Sequence, residues 1–363
     1  MSQDFSGLKQ AFDFQRAACA HLGSPFSARV LAILDWDIQA GGAYAGFVRP
    51  WAGADPAQAL SDVTPLRLLA ALHYLALSGA GAGLAAVYPA NGADAEEDAL
   101  RAAILRAGEL HRGVIEGFMP SPPQTNEVRR SICLLGGFMT VARETGSPLR
   151  CLEIGTSAGL NQNWNRFRYR LGEVATWGDA DSPVLIDAEW RGEAPPLVDL
   201  TVAERRGCDL RPIDTADPDQ ALRLQAYVWA DQADRLERLR GAIALARLYP
   251  PTTDQGDAAD WVEAQARPRP GMATVLYHSV VWQYLPAATQ ARITAAIEAA
   301  GREATPESPF AWLRMEPDPT GIAKPMEIRL SLWPEGREAV LARVHPHGAM
   351  VSWLSSGADA AVI

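Results

Sequence analysis

The residues best placed to do chemistry lie in Leu152-Glu-Ile-Gly-Thr-Ser-Ala-Gly-Leu-Asn161. An apolar run carries an acid, Glu153, and leads through small residues, Gly155, Ser157 and Gly159, to a helical segment starting near Asn161. Small residues at such a turn let a ligand approach the backbone, and the N–H groups opening a helix hold its polar end. The dinucleotide spacing asks for Gly at the first, third and sixth positions. Counting from Gly155, Ser157 and Leu160 break it. Gly155-Thr-Ser-Ala-Gly159 also fits Gly-x-Ser-x-Gly, in which Ser157 would be a nucleophile served by His278 or His345.

Other clusters carry further chemistry. His278 and Ser279 follow the apolar run from Met272, and an imidazole exchanges protons near neutral pH, which suits a general base. Trp282 and Tyr284 follow, as an apolar wall or as core. Gln124-Thr-Asn-Glu127 sets four hydrogen-bonding side chains between Pro123 and an amphipathic helix. Either it folds over a ligand, with Glu127 as a base and Gln124 and Asn126 on the substrate, or Thr125 or Asn126 caps the helix. Asp209 and Asp257 each follow a candidate strand, and Asp257 also reads as a helix cap. His345-Pro-His347 is the one close histidine pair. With no third ligand nearby and no Cys pair, no metal site is expected, and Pro346 reads as a hairpin tip.

These residues need a scaffold, and hydrophobic periodicity supplies one. Up to residue 145 the chain reads as helices: Phe5, Leu8 and Phe12 share a face, as do Val30, Ile33, Leu34 and Ile38. Thr64-Pro65 reads as the cap of a helix running to Gly79, Asp94-Ala-Glu-Glu97 as a capping box, and Gly146 as the stop after Val128, Ile132, Leu135 and Met139. From Leu149 strands and helices alternate, with a long helix inside 214–248, which argues for a parallel sheet covered on both faces. Residues 169–196, rich in Gly, Asp, Pro and Trp, read as an insertion. The last ~40 residues alternate in polarity around Pro334-Glu-Gly336 and Pro346-His-Gly348, as antiparallel hairpins completing the sheet edge.

The loop after Glu153 resembles the first motif of class I S-adenosylmethionine-dependent methyltransferases: an acid, then Gly155, Ser157 and Gly159 at alternate positions, with Ser157 off pattern. Gly207-Cys-Asp209, Gly256-Asp-Ala258, the Met272–Ser279 run and Phe310–Glu316 resemble that family's later motifs, in order. The resemblance implies a seven-stranded Rossmann-like α/β sheet over 146–363 behind a helical domain over 1–145. It implies S-adenosylmethionine held by Glu153, Gly155, Ser157, Gly159, Asn161, Asp209, Asp257 and Ala258. It also implies a small-molecule acceptor beside Gln124, Asn126, Ser279 and Trp282, with His278 and Glu127 at the reacting centre. Asp209 departs from the pattern by lying 50 residues beyond Gly159. Nearly the whole chain also resembles a bacterial family, domain of unknown function 2332. The residues carrying this are Pro122–Arg129, Ser157–Asn161, Gly207–Asp209, Tyr227–Gln232 and His278–Leu285.

Composition bounds the rest. The chain has 363 residues, 48% of them hydrophobic and 21% charged, an ordinary globular balance with room for about two domains. Its net charge of -10 disfavours nucleic acid. Four cysteines without a Cys-x-x-Cys pair fit a reduced, cytoplasmic setting, and Met1-Ser-Gln-Asp-Phe5 has no signal-peptide character. Residues 68–93 carry no charge and are long enough to span a bilayer. Ser78-Gly-Ala-Gly-Ala-Gly83, His73, Pro89 and Asn91 break that stretch into a buried helix and a turn, so no membrane span is expected.

Overall fold

The computed structural model describes residues 4–89, 95–318 and 326–354. The chain divides into two compact units, Met1–Thr125 with Ala216–Glu237, and Asn126–Thr215 with Arg238–Ile363.

The first unit is helical. Helices Ser6–His21, Pro25–Gln39, Thr64–Ser78 and Glu97–Leu110 turn their apolar faces, including Leu8, Phe12, Val30, Leu34, Leu72 and Ile104, into one core. The excursion Ala216–Glu237 contributes Ala226, Tyr227 and Ala230 to that core. Within it, Asp231 accepts the Phe26 backbone N–H at 2.9 Å and the Ser24 hydroxyl, so it closes the start of helix Pro25–Gln39 from about 200 residues away. Thr64 proves to be the first residue of its helix rather than its cap, and the helix ends at Gly79 in the left-handed conformation that glycine accepts without strain. Asp94 of the expected capping box, and residues 90–93 of the uncharged stretch, lie outside the described residues. Among the described residues no helix is long and apolar enough to cross a membrane.

The second unit is built on one sheet of eleven strands, not the expected seven. In chain order they are β1 Leu149–Ile154, β2 Arg168–Leu171, β3 Ala175–Gly178, β4 Leu185–Arg191, β5 Val202–Asp209, β6 Thr253–Gln255, β7 Ala273–Ser279, β8 Phe310–Pro317, β9 Met326–Trp333, β10 Arg337–Val344 and β11 Met350–Trp353. In space the order is β3-β2-β4-β11-β10-β9-β8-β7-β1-β5-β6. The strands β6-β5-β1-β7-β8 are mutually parallel, and β9 and β10 continue antiparallel. The carboxyl-terminal hairpins therefore do not finish the sheet. The inserted strands do, because β4 pairs in parallel with β11 and brings β2 and β3 with it.

The two faces of β1 bury different partners. Leu152 and Ile154 join Trp261, Val262, Ile293 and Ile297 under helices Ala258–Gln265 and Ala287–Glu303. The other face meets helix Ser131–Thr145, where Phe138 stacks on Trp164 at 4.1 Å and meets Tyr277 edge-on at 5.1 Å. Gly137 is needed there, since a Cβ would stand 2.3 Å from Leu313. Residues 214–248 hold two helices, Pro218–Ala226 and Ala233–Leu248, in place of one long helix bearing Leu222 and Val228.

Candidate functional site

Ranked by sequence, the five parallel strands lie in the order 3-2-1-4-5, and that order reverses between β1 and β7. Loops leaving the carboxyl ends of two such strands diverge to opposite faces and open a crevice, the usual ligand position in open α/β sheets. The sequence motifs converge on this edge.

The loop after β1 is tightly held. Gly155 and Thr156 donate their N–H groups to the Cys208 carbonyl at 2.9 and 3.1 Å. Gly155, Ser157 and Gly159 all have positive φ, at 68°, 56° and 70°. Glycine is needed at 155 and 159 for a second reason. A Cβ on Gly155 would stand 2.4 Å from Val281, and one on Gly159 2.7 Å from Pro251. Close packing thus accounts for both glycines, and the open space expected beside them is filled by side chains. Ser157 bears positive φ despite its Cβ, a costly conformation that concentrates at functional sites.

The acids are arranged around this loop. Glu153 is buried on the Tyr277 face of the sheet and accepts the Thr156 hydroxyl at 2.5 Å. Burial pushes its carboxyl up to about 7, with the Thr156 hydrogen bond opposing. Asp209, at the tip of β5, accepts the Ser157 N–H at 2.8 Å and the Arg211 N–H at 2.9 Å. Asp257 follows β6 and caps helix Ala258–Gln265, accepting from Ala259 at 2.8 Å and Asp260 at 3.2 Å, with Ala258 in the helix's first turn.

Two segments fold over the loop within the same unit. From Asn126–Arg130, the Asn126 carbonyl oxygen of the side chain accepts the Leu160 N–H at 3.0 Å, and Asn161 donates to the Glu127 backbone carbonyl at 3.3 Å. Arg130 reaches the Pro346 carbonyl at 3.0 Å and the Ser279 carbonyl at 3.4 Å, tying the turn after β10 to the tip of β7. Gln124 belongs to the other unit, where it is half-buried. The second segment follows β7, where Val280 is held at φ 55° although β-branched. Glu316 accepts from the Val281 and Trp282 backbone N–H groups at 3.1 and 3.3 Å and so fixes this turn.

His278 is not free to act as a base. It is 0% exposed, its Nδ1 bonds Glu316 at 2.7 Å, and Trp312 donates to its Nε2 at 3.0 Å. Because an indole N–H can only donate, Nε2 must accept, so Nδ1 carries the proton and gives it to Glu316. Both ring nitrogens are spent, and Trp282 stacks on the ring at 5.3 Å. The expected proton acceptor is a strut that orients Glu316.

Ser157 Oγ, Asn161 Oδ1 and Glu316 Oε2 are among the buried polar atoms at this edge that have no hydrogen-bond partner among the described residues. Such atoms cost free energy unless something meets them, which marks the edge as built for a ligand or for water. Sequence reasoning named Ser157 and Asn161 but gave Glu316 no role, and Arg130 went unremarked. The family resemblance over Pro122–Arg129 stopped one residue short of Arg130.

A family model described as "Uncharacterized protein conserved in bacteria", domain of unknown function 2332 (DUF2332), matches residues 9–353. The chain belongs to the DUF2332 family. No curated protein and no solved structure matches it. The DUF2332 segments Asn126–Arg129, Ser157–Asn161, Gly207–Asp209 and His278–Leu285 are the ones that meet at the carboxyl edge of the sheet, while Tyr227–Gln232 serves the helical unit through Asp231. The four DUF2332 cysteines are buried and unpaired, and burial pushes the Cys133, Cys151 and Cys208 thiols up to about 12, so they stay protonated. Among the described residues no three His, Cys, Asp or Glu side chains converge as metal ligands.

Proposed function

We propose that this DUF2332 protein is an S-adenosylmethionine-dependent methyltransferase acting on a small molecule, its parallel strands forming a Rossmann-like methyltransferase core. The observation that carries the reading is the placement of the glycine-rich loop at the reversal of strand order, with acids at the tips of the next two strands, β5 and β6.

The unmatched polar atoms fit such a group. Asn161 Oδ1 and Glu316 Oε2 are pure acceptors, and Ser157 Oγ accepts or donates. An acceptor-rich edge suits the ammonium and sulfonium of the cofactor. Asp209, oriented by two backbone N–H groups, would take the ribose hydroxyls, and Asp257 with Ala258 would meet the adenine. When bound, the group supplies an activated methyl carbon. The chain's own part is alignment, since methyl transfer gains much of its rate from in-line placement. Trp282, half-buried and stacked on His278, would wall the acceptor beside Ser279. With a net charge of -10, a neutral or cationic small molecule suits the site better than nucleic acid, and the reduced thiols suit a cytoplasmic setting.

One observation favours a second reading. Ser157 sits at φ 56° inside Gly-x-Ser-x-Gly, as a nucleophile on a strained turn would. No base bonds its Oγ among the described residues, however, and Asp209 and Asp257 would have no part in a hydrolase. A third reading, a cofactor-binding protein without turnover, has in its favour the departure of Ser157 from the alternate-glycine pattern and the long insertion over 169–196.

Calorimetric titration with S-adenosylmethionine and S-adenosylhomocysteine, against NADH and NADPH, tests the proposal. Micromolar binding of the first two, weakened about tenfold or more by Asp209→Ala, is expected, tenfold being about 1.4 kcal/mol. Folded protein that binds neither overturns it. Labelling by a serine-directed phosphonate, lost in Ser157→Ala, would favour the hydrolase.

A further inference from the structure

With His278 spent, the edge of the sheet still offers one imidazole open to a ligand. β10 runs parallel to β8, since both pair antiparallel with β9, so the turn after Val344 emerges at the same edge as the tips of β7 and β8. That turn is His345-Pro-His-Gly-Ala349. It is pinned over the Asn126–Arg130 segment in three ways. Arg130 holds the Pro346 carbonyl, Gly348 lies so close to the Arg129 carbonyl that a Cβ would stand 2.6 Å from it, and His347 faces Glu127.

We propose that His347 and Glu127 form an acid–base dyad, His347 exchanging the substrate proton and Glu127 positioning it. Glu127 Oε2 lies 3.6 Å from His347 Nδ1, ion-pair distance and slightly long for a hydrogen bond, as catalytic contacts are without substrate. The Glu127 side chain is only 4% exposed and its other oxygen accepts the Arg129 N–H at 3.3 Å, so the carboxylate is held in place. The His347 ring is 42% exposed, yet its Nδ1 is buried, so the edge carrying Nε2 is the one turned outwards. This is the arrangement of a carboxylate orienting an imidazole, which leaves the far nitrogen for chemistry.

The other charged groups around His347 are accounted for. Arg129 bonds the Asp187 carbonyl at 2.8 Å, and Arg130 is engaged as described. His345 accepts the His347 backbone N–H at 3.1 Å through Nδ1, and burial, with His347 and Arg129 nearby, holds it below the usual imidazole range. It remains a neutral prop for the turn.

In the forward step the Nε2 lone pair takes the proton from an acceptor O–H or N–H. That bond breaks as the new N–H forms, and its electron pair stays on the acceptor atom as the nucleophile. Nδ1 keeps its proton, and the positive charge on the ring faces the Glu127 carboxyl group. This step rests on the methyl-transfer reading for its purpose, but the dyad itself is testable without cofactor or acceptor.

Nitrogen-15 NMR of the ligand-free protein, at a pH where His347 is neutral, reads which ring nitrogen carries the proton. The expected result is mainly Nδ1–H in the native protein and mainly Nε2–H in Glu127→Leu, with the fold checked by circular dichroism. Diethylpyrocarbonate, which acylates an accessible unprotonated ring nitrogen, should mark His347 at Nε2 at least about tenfold faster than fully buried His278, a reading that needs no variant to fold. Native protein with mainly Nε2–H, or His347 left unmodified, overturns the dyad. If the NMR and labelling hold while calorimetry shows no S-adenosylmethionine binding, the dyad stands and the methyl-transfer reading falls. The reverse pattern removes the dyad alone.

Discussion

Two histidine–glutamate pairs sit at the same edge of one sheet and differ in every respect that matters to catalysis. His278 and Glu316, at the tips of β7 and β8, are closed: the imidazole is buried, both nitrogens are bonded, and the carboxylate holds the backbone of Val281 and Trp282. His347 and Glu127 are open on one side, with Nδ1 turned inwards and the opposite ring edge exposed. The first pair makes the turn rigid, and the second can exchange a proton. A histidine at a strand end in a cofactor-like motif is thus no guide to function until its hydrogen bonds are counted.

The sharpest way to break this comparison is to remove each imidazole. His278→Ala leaves a cavity and strands the Trp312 N–H and the Glu316 carboxylate, so urea unfolding should show a loss of about 4 kcal/mol. His347→Ala should cost far less, about 1 kcal/mol, since it removes a half-exposed ring but leaves the buried Glu127 carboxyl without its imidazole neighbour. Equal losses would erase the distinction.

A slightly smaller effect comes from the floor of the closed region. The Glu153 carboxyl rises from 4.5 to about 7 on folding. Between those values the folded chain keeps a proton that the unfolded chain has released. Stability is therefore full below about pH 4.5, falls as pH rises towards 7 and then levels, by about 3 kcal/mol at about 1.4 kcal/mol per unit. Glu153→Gln should flatten that slope in melting experiments run from pH 4.5 to 8. An unchanged slope would place the titration elsewhere.

Gly155→Ala should cost about 2 kcal/mol, from the positive φ and from the clash with Val281. If it proves neutral, Val281 moves readily and the loop is more open than its packing implies. The smallest effect belongs to the outer rim. Asp257→Ala should remove about 1 kcal/mol as a lost helix cap. A further drop in S-adenosylmethionine affinity would show that the cap also serves the cofactor.

Much of this edge was legible in the sequence. The β1 boundaries and the loop after it follow from an apolar run bounded by small residues, a local signal. The strand ending at Asp209, Val202-Ala-Glu-Arg-Arg-Gly-Cys-Asp209, has no apolar run, and its tip is marked only by the family resemblance. What stayed hidden was set by distant pairing. Trp312 and Glu316 close on His278 from 34 and 38 residues away, and no spacing rule reports that. The eleven-stranded sheet depends on β4 finding β11, about 160 residues later, and four-residue strands leave a weak alternation. His347 read as a hairpin tip correctly, but its value comes from Glu127, 220 positions earlier in the chain.

The most direct test of the central claim is a crystal structure with S-adenosylhomocysteine. The account predicts the ligand at the β1–β7 reversal, its ribose on Asp209 and its amino group among Asn161 Oδ1, Ser157 Oγ and Glu316 Oε2. A ligand bound elsewhere, or a site that stays closed by Val281 at saturating concentration, would contradict it.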